Sequence, residues 1–247
     1  MELPQISSYV VESLPVLSEI VRHPYWKHCY DVQQSSFFTH KDHNRATHQI
    51  MATNIMYELL AKAKNIREEF RVGLLAGILT HDVGHAFPVS HVVERYRKCV
   101  PSTMPLWNLD HEAIGEKITE KIYHDLSYSP VLIPTTSEEK VCAQLIASTV
   151  DTDRIAYLIY DSKIYMTEKP CPFTIQSAVD DFDPSRGFSL MFTADLLVFR
   201  QYMHEEVYTS GYELNLSLFH DELVKMHKSI DTFVNHWTTI EELFAFL

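Results

Sequence analysis

Three observations on this 247-residue chain predict an all-α fold. Apolar residues recur at helical spacing through Ile50, Met51, Ile55, Met56, Leu59 and Leu60, which gives an α-helix one apolar side. A denser run follows through Val72, Leu74, Leu75, Ala76, Ile78 and Leu79, as expected of a helix buried on most sides. The helical period then resumes at roughly His111 to Tyr123, Glu138 to Thr149 and Asp153 to Tyr165, and over a long stretch from about Leu190 to Phe233.

The first helix is entered through His43-Asn44-Arg45-Ala46-Thr47-His48, where Arg45 and His48, three apart, share a face. The second should end at or just after His81-Asp82. Gly84 accepts a left-handed turn past a helix end, and Pro88 cannot continue the ladder. Ser127 to Ser137 and Lys169 to Gly187 carry most of the interior prolines and read as loops, with Thr136-Ser137-Glu138-Glu139 as the start of the next helix. No composition break marks a linker, so residues 1–247 are expected to form a single domain, with a core at about 18–165 and a C-terminal helical part at about 188–247.

Composition bounds the function. With 46% hydrophobic residues, and 13 Tyr and 13 Phe against only 6 Gly, the chain can close a large core and does not read as disordered. Its 21 basic and 33 acidic residues give a formal charge of −12, which offers no basic field for nonspecific nucleic acid or an anionic membrane. Any phosphate it binds needs locally placed arginines. Cys29, Cys99, Cys142 and Cys171 are far apart and suggest neither a zinc ribbon nor a disulfide scaffold. Met1-Glu2-Leu3-Pro4 carries no basic leader, and the longest apolar run, around Leu74 to Leu79, is far short of a membrane span. A cytoplasmic protein with reduced thiols is expected.

The chemistry concentrates at His81-Asp82-Val83-Gly84-His85. An imidazole beside a carboxylate at the end of an apolar helix is costly to bury unless something binds it, and together they suit a divalent cation such as Mn, Mg, Fe, Ni or Zn. Arg45 beside His48 pairs a cation with a ligand, which suggests a metal-bound anion. Asp153, Tyr157 and Asp161 fall at i, i+4 and i+8 of a later helix, and Arg200, His204 and Tyr208 repeat that spacing on the long one. The second row gives the long helix a wet side where Leu196, Leu197, Val198 and Val207 would pack.

In these residues the chain resembles the HD-domain metal-dependent phosphohydrolases. His48, then His81-Asp82, then Asp153 match that family's metal ligands in order and local context, and the resemblance covers roughly residues 18 to 210. Within the family the chain is similar to the deoxynucleoside triphosphate triphosphohydrolases. The features that carry this are Asn44-Arg45-x-x-His48, His81-Asp82-x-Gly84-His85 followed by Ser90-His91, His111-Glu112 after Trp107, Asp153-x-x-x-Tyr157-x-x-x-Asp161, and Arg200 eight residues before Tyr208.

The resemblance implies an HD-domain helical bundle with a long C-terminal helical extension. It implies one divalent metal ion held by His48, His81, Asp82 and Asp153, and hydrolysis of deoxynucleoside triphosphates to deoxynucleoside and tripolyphosphate. Arg45, His91, Arg154, Tyr157 and Arg200 correspond to triphosphate contacts, Gln34 and Asp161 to ribose 3′-hydroxyl contacts, and Tyr208 to the ring bordering sugar and base. His85, His111 and Glu94 correspond to the acid-base group. Relatives commonly assemble, so a homo-oligomer is compatible with it.

The chain departs from the family pattern in three places. The loop from His85 to His91 is one residue longer than usual, Ser35-Ser36 follows Gln34 in place of Leu-Gly, and Thr209-Ser210-Gly211 follows Tyr208 in place of a His-Lys pair. The alternatives are a phosphatase or phosphodiesterase acting on another phosphoester, a second metal on His85 and His111, and a nucleotide-binding regulator without turnover.

Overall fold

In the computed structural model of the chain, the residues described are 9–30, 32, 43–85, 111–165 and 167–208. The fold is all-α, with no strand among the described residues. In chain order the helices are α1 (Tyr9–Ser13), α2 (Pro15–Arg22), α3 (Pro24–Lys27), α4 (Arg45–Ala61), α5 (Glu68–Thr80), α6 (His111–Asp125), α7 (Ser137–Ala143), α8 (Thr152–Ile164), α9 (Ile175–Asp181) and α10 (Leu190–Met203). A π-helical turn, His204–Tyr208, continues α10. No helix among the described residues is long and apolar enough to cross a membrane.

Helix α4 occupies the centre, with α5 and α8 against it and α1 and α9 at its flanks; α10 packs on α8, and α3 packs on α6. Ile55, Met56, Leu59 and Leu60 of α4 are buried together with Leu74, Leu75, Ile78 and Leu79 of α5 and Ile155, Leu158 and Ile159 of α8. Each fully buried Leu, Ile or Met is worth roughly 1.5–3 kcal/mol relative to exposure. Trp26 locks α3 to the end of α5, donating its buried indole N–H to the Leu79 carbonyl at 2.8 Å. Two residues beyond that carbonyl lies His81.

Short polar side chains open five of the helices. Asn44 accepts from Thr47 N for α4, Thr136 from Glu139 N for α7, Asp151 from Arg154 N for α8 and Ser189 from Phe192 N for α10. Thr174 and Ser177 form a reciprocal capping box at α9. Glu139, with no exposed surface, joins α7 to the start of α5 by accepting from the Arg67 guanidinium.

The helix expected over Glu138 to Thr149 stops at Ala143, because the groups after it are claimed locally: the Leu145 carbonyl accepts from both Thr152 N and Thr152 Oγ1, and Ser148 N donates to Asp151. The stretch from Lys169 to Gly187 is not loop throughout, since the capping box starts α9 inside it. Of the long helix expected from Leu190 to Phe233, α10 and the π turn reach Tyr208, and the remainder lies outside the described residues. The expected sides of α10 hold only in part. Leu196 is buried and His204 exposed, but Leu197 and Val198 are also exposed, whereas Arg200 and Tyr208 turn toward α8. Finally, Gly84 is not in the left-handed region; among the described glycines only Gly187 is. Gly84 is needed for room, because a Cβ there would lie 1.8 Å from the His111 carbonyl oxygen.

Candidate metal centre and active site

Four side chains from two helices and a turn converge. His48 is the fourth residue of α4, Asp153 lies in the first turn of α8, and His81 and Asp82 lie in the turn after α5, which ends at Thr80, just before the pair and not at or after it. One ligand atom from each lies within 4.8 Å of every other. His48 Nε2 is 2.8 Å from Asp153 Oδ1 and 3.8 Å from Asp82 Oδ2; His81 Nε2 is 3.3 Å and 3.7 Å from the same two atoms. His48 is fully buried, while 29% of the Asp153 side chain is exposed, so the cluster opens on one side.

The imidazoles are oriented from behind. His81 Nδ1–H donates to the Ile78 carbonyl at 2.6 Å, which turns Nε2 toward the carboxylates, the arrangement that presets a histidine to bind a metal. Burial opposes a charge on His81, but Asp82 and Asp153 outweigh it and raise its pKa to about 9. Burial likewise opposes ionisation of the two carboxylates. His81, Arg45 and His85 nevertheless hold Asp82 well below the usual range, and His48 and His81 do the same for Asp153. Two desolvated carboxylates thus draw positive charge onto a neighbouring ring. Two imidazole nitrogens and two carboxylate oxygens in this arrangement fit a divalent ion, which would meet the same demand.

Basic and phenolic groups surround the cluster. Arg45, 3% exposed, donates from Nη1 to Asp82 Oδ2 at 2.5 Å. His85, 1% exposed, has Nε2 3.4 Å from Asp82 Oδ1, and its ring stacks on His111 with centroids 4.2 Å apart. Along α8, Asp153, Tyr157 and Asp161 form the expected stripe. Arg200 Nε donates to the Tyr157 hydroxyl at 3.2 Å, the Tyr208 hydroxyl donates to Asp161 Oδ2 at 2.7 Å, and the two tyrosine rings meet edge to face. Burial pushes the Tyr157 phenol up to about 12, with Asp153 adding to it. Burial and Asp161 raise Tyr208 well above its ordinary value, so both phenols stay protonated.

Arg154 donates from Nη1 to the Asp151 carboxylate and the Ser148 carbonyl, and its charge also acts on the Tyr157 phenol. Gln34, His91 and Glu94 lie outside the described residues. Two residues not picked out from sequence matter here. Asp151 caps α8 and so aims Asp153; an Asp followed by Thr ahead of a helical run was the available signal. Gly115 meets the backbone of Gly84, and a lone glycine inside a helical pattern gives no such indication.

No protein-family model matches the sequence. An uncharacterized protein of Mycoplasma pneumoniae, the MG461 homolog, is 25% identical over 204 residues, which are 71% of this chain and 47% of the relative. The chain therefore spans about half the length of that relative. A phosphohydrolase from Bacteroides thetaiotaomicron superposes with a TM-score of 0.67 at 20% identity, covering 93% of this chain and 65% of its own. A hypothetical protein from Aquifex aeolicus gives 0.66 at 18% identity, covering 92% and 64%. At these identities the likeness is one of fold.

Proposed function

We propose that the protein is a metal-dependent phosphohydrolase of the HD type that hydrolyses deoxynucleoside triphosphates between the 5′-oxygen and the α-phosphorus. The observation that carries this reading is the meeting of His48, His81, Asp82 and Asp153 within 4.8 Å, on an all-α scaffold shared with a protein named a phosphohydrolase. Held by those four groups, a divalent cation (Mn, Mg, Fe, Ni or Zn) would supply Lewis-acid stabilisation of charge on the phosphate oxygens.

The chain's own residues supply the rest. Since the net charge is −12, a triphosphate has to be met by local cations; Arg45 borders the cluster, and Arg200 and Arg154 border Tyr157 of the α8 stripe. Tyr157, kept neutral, orients Arg200. Asp161 and Tyr208 form a hydrogen-bonded pair suited to a sugar hydroxyl and ring. In the reaction a water oxygen bonds to the α-phosphorus and the bond to the 5′-oxygen breaks, its electron pair leaving with that oxygen. The His85–His111 pair gives its proton to the departing oxygen, and the proton released by the attacking water restores it. The products are a deoxynucleoside and tripolyphosphate.

The test is a panel of the four deoxynucleoside triphosphates and their ribose counterparts with Mn, Mg or no metal, resolved by chromatography. Tripolyphosphate formed only with metal supports the proposal. Orthophosphate or a nucleoside monophosphate would move the activity to another phosphoester bond, and thermal stabilisation by nucleotide without any product would make the protein a binding regulator.

A further inference from the structure

Two glycines let two backbones touch beside the proton-carrying pair. A Cβ built on Gly84 would fall 1.8 Å from the His111 carbonyl oxygen and 2.5 Å from Gly115 N. One built on Gly115 would lie 3.2 Å from Gly84 N, 3.4 Å from Gly84 Cα and 3.7 Å from the His81 carbonyl oxygen. Neither glycine has a positive φ, so what each provides is the absence of a side chain. The first turns of α6 thereby sit directly on the turn His81–Gly84, which links the metal-binding pair to His85.

The consequence appears one helical turn away. His111 is four residues before Gly115, on the same face of α6, and its ring lies over His85 at 4.2 Å with the planes 21° apart. Glycine inside a helix is less stable than alanine, so Gly115 weakens α6 at the point where α6 must come closest. We propose that Gly115 is a positioning residue: with Gly84 it sets how closely α6 approaches the metal-binding turn, and so the register of His111 on His85. This rests on the reading of His85 and His111 as the proton-carrying pair, but not on which nucleotide is cleaved.

The experiment compares Gly115→Ala with Gly77→Ala. Gly77 is also inside a helix, but its added Cβ would meet only the flexible Cδ1 tip of Ile146, at 3.0 Å. Histidine-labelled protein is examined by NMR for the ring-current shift of the His85 protons, with His111→Ala marking its loss. Turnover of the four deoxynucleoside triphosphates with Mn is measured alongside bound Mn.

Gly115→Ala should diminish the ring-current shift and keep the Mn stoichiometry. Its kcat should fall on the order of tenfold with KM moving less than about twofold, since displacement of a catalytic group acts on the chemical step. Gly77→Ala should match the wild type in every readout. An unchanged His85 shift in Gly115→Ala, equal effects in Gly77→Ala, a raised KM at constant kcat, or a Gly115→Ala chain that cannot fold would each overturn the proposal. If the wild type turns over none of the nucleotides, the phosphohydrolase reading fails while the NMR comparison still decides this one.

Discussion

His48 on α4 and Asp153 on α8 are 105 residues apart in sequence, yet His48 Nε2 lies 2.8 Å from Asp153 Oδ1. The contact closes the ring of four donors, and Asp153 is its most exposed member. Asp153→Ala should therefore release the metal and abolish turnover together. Loss of a group that merely supports a ligand already weakens metal binding about 10–100-fold, so loss of a ligand should exceed that. Elemental analysis of purified variant and wild type decides it; full metal content with normal turnover would remove Asp153 from the centre.

Arg45 touches the cluster through Asp82 but is not a donor to a cation. Arg45→Ala should lower kcat/KM by about ten- to a hundredfold, the range for one hydrogen bond to a charged group, while bound metal is retained. Calorimetric titration with Mn beside steady-state kinetics separates the two effects. Unchanged kinetics would exclude Arg45 from the phosphate site.

How much of this was legible in the chain follows from the range over which each interaction acts. The all-α class was legible because apolar spacing in α4, α5 and α8 is a local signal that burial reinforces, and His81-Asp82 stood out because such a pair is hard to bury for any structural reason. The end of α7 was not legible, since it depends on the Leu145 carbonyl being claimed by Thr152 across a turn. The contact between Gly84 and Gly115 escaped for the same kind of reason: nothing near either glycine in sequence encodes the approach of the other helix. Gly84 was visible as a glycine, but the local reason, a left-handed turn, was not the operative one.

Glu139 ties stability to acidity. Its buried carboxylate accepts from Arg67 N, Nε and Nη2 and from Thr135 N and Oγ1, and the Arg67 guanidinium foremost holds its pKa below the ordinary 4.5. A carboxyl with a lowered folded pKa adds stability that is present above the unfolded value and lost as the pH falls through the folded one. Glu139→Gln should thus melt several degrees lower at neutral pH, and its gap from the wild type should close as the pH drops below 4.5. Equal melting temperatures at neutral pH would show the cluster to be inert.

Ser127 offers a change in the opposite direction. It sits at φ 51 just past α6, where Tyr128 N bonds to Tyr123 O and Ser127 N to His124 O. That pair of bonds is the helix-ending motif that favours glycine at its left-handed position. Ser127 is exposed and is far from the metal ligands in the chain. Ser127→Gly should stabilise the protein by roughly 0.5–1 kcal/mol, or about 1–4 °C in Tm, with turnover unaltered. A lower Tm in a thermal melt would contradict this.

The pair Asp161 and Tyr208 bears on the choice of sugar. Asp161 is 3% exposed, and one of its carboxylate oxygens accepts the Tyr208 hydroxyl at 2.7 Å. A buried carboxylate that also accepts a ribose 3′-hydroxyl would be left without that bond by a 2′,3′-dideoxynucleotide, and sites built around a substrate hydroxyl reject analogues lacking it by large factors, here at least about a hundredfold in kcat/KM. Asp161→Ala should erase most of that preference by reducing turnover of the deoxynucleotide far more than that of the dideoxynucleotide. Tyr208→Phe keeps the carboxylate but frees it from one donor, so it should retain the preference while raising KM for both substrates. The measurement is the ratio of kcat/KM values for paired nucleotides in the three proteins. A ratio that Asp161→Ala leaves intact would assign the hydroxyl contact to another residue and leave Asp161 only the task of holding Tyr208 against α8.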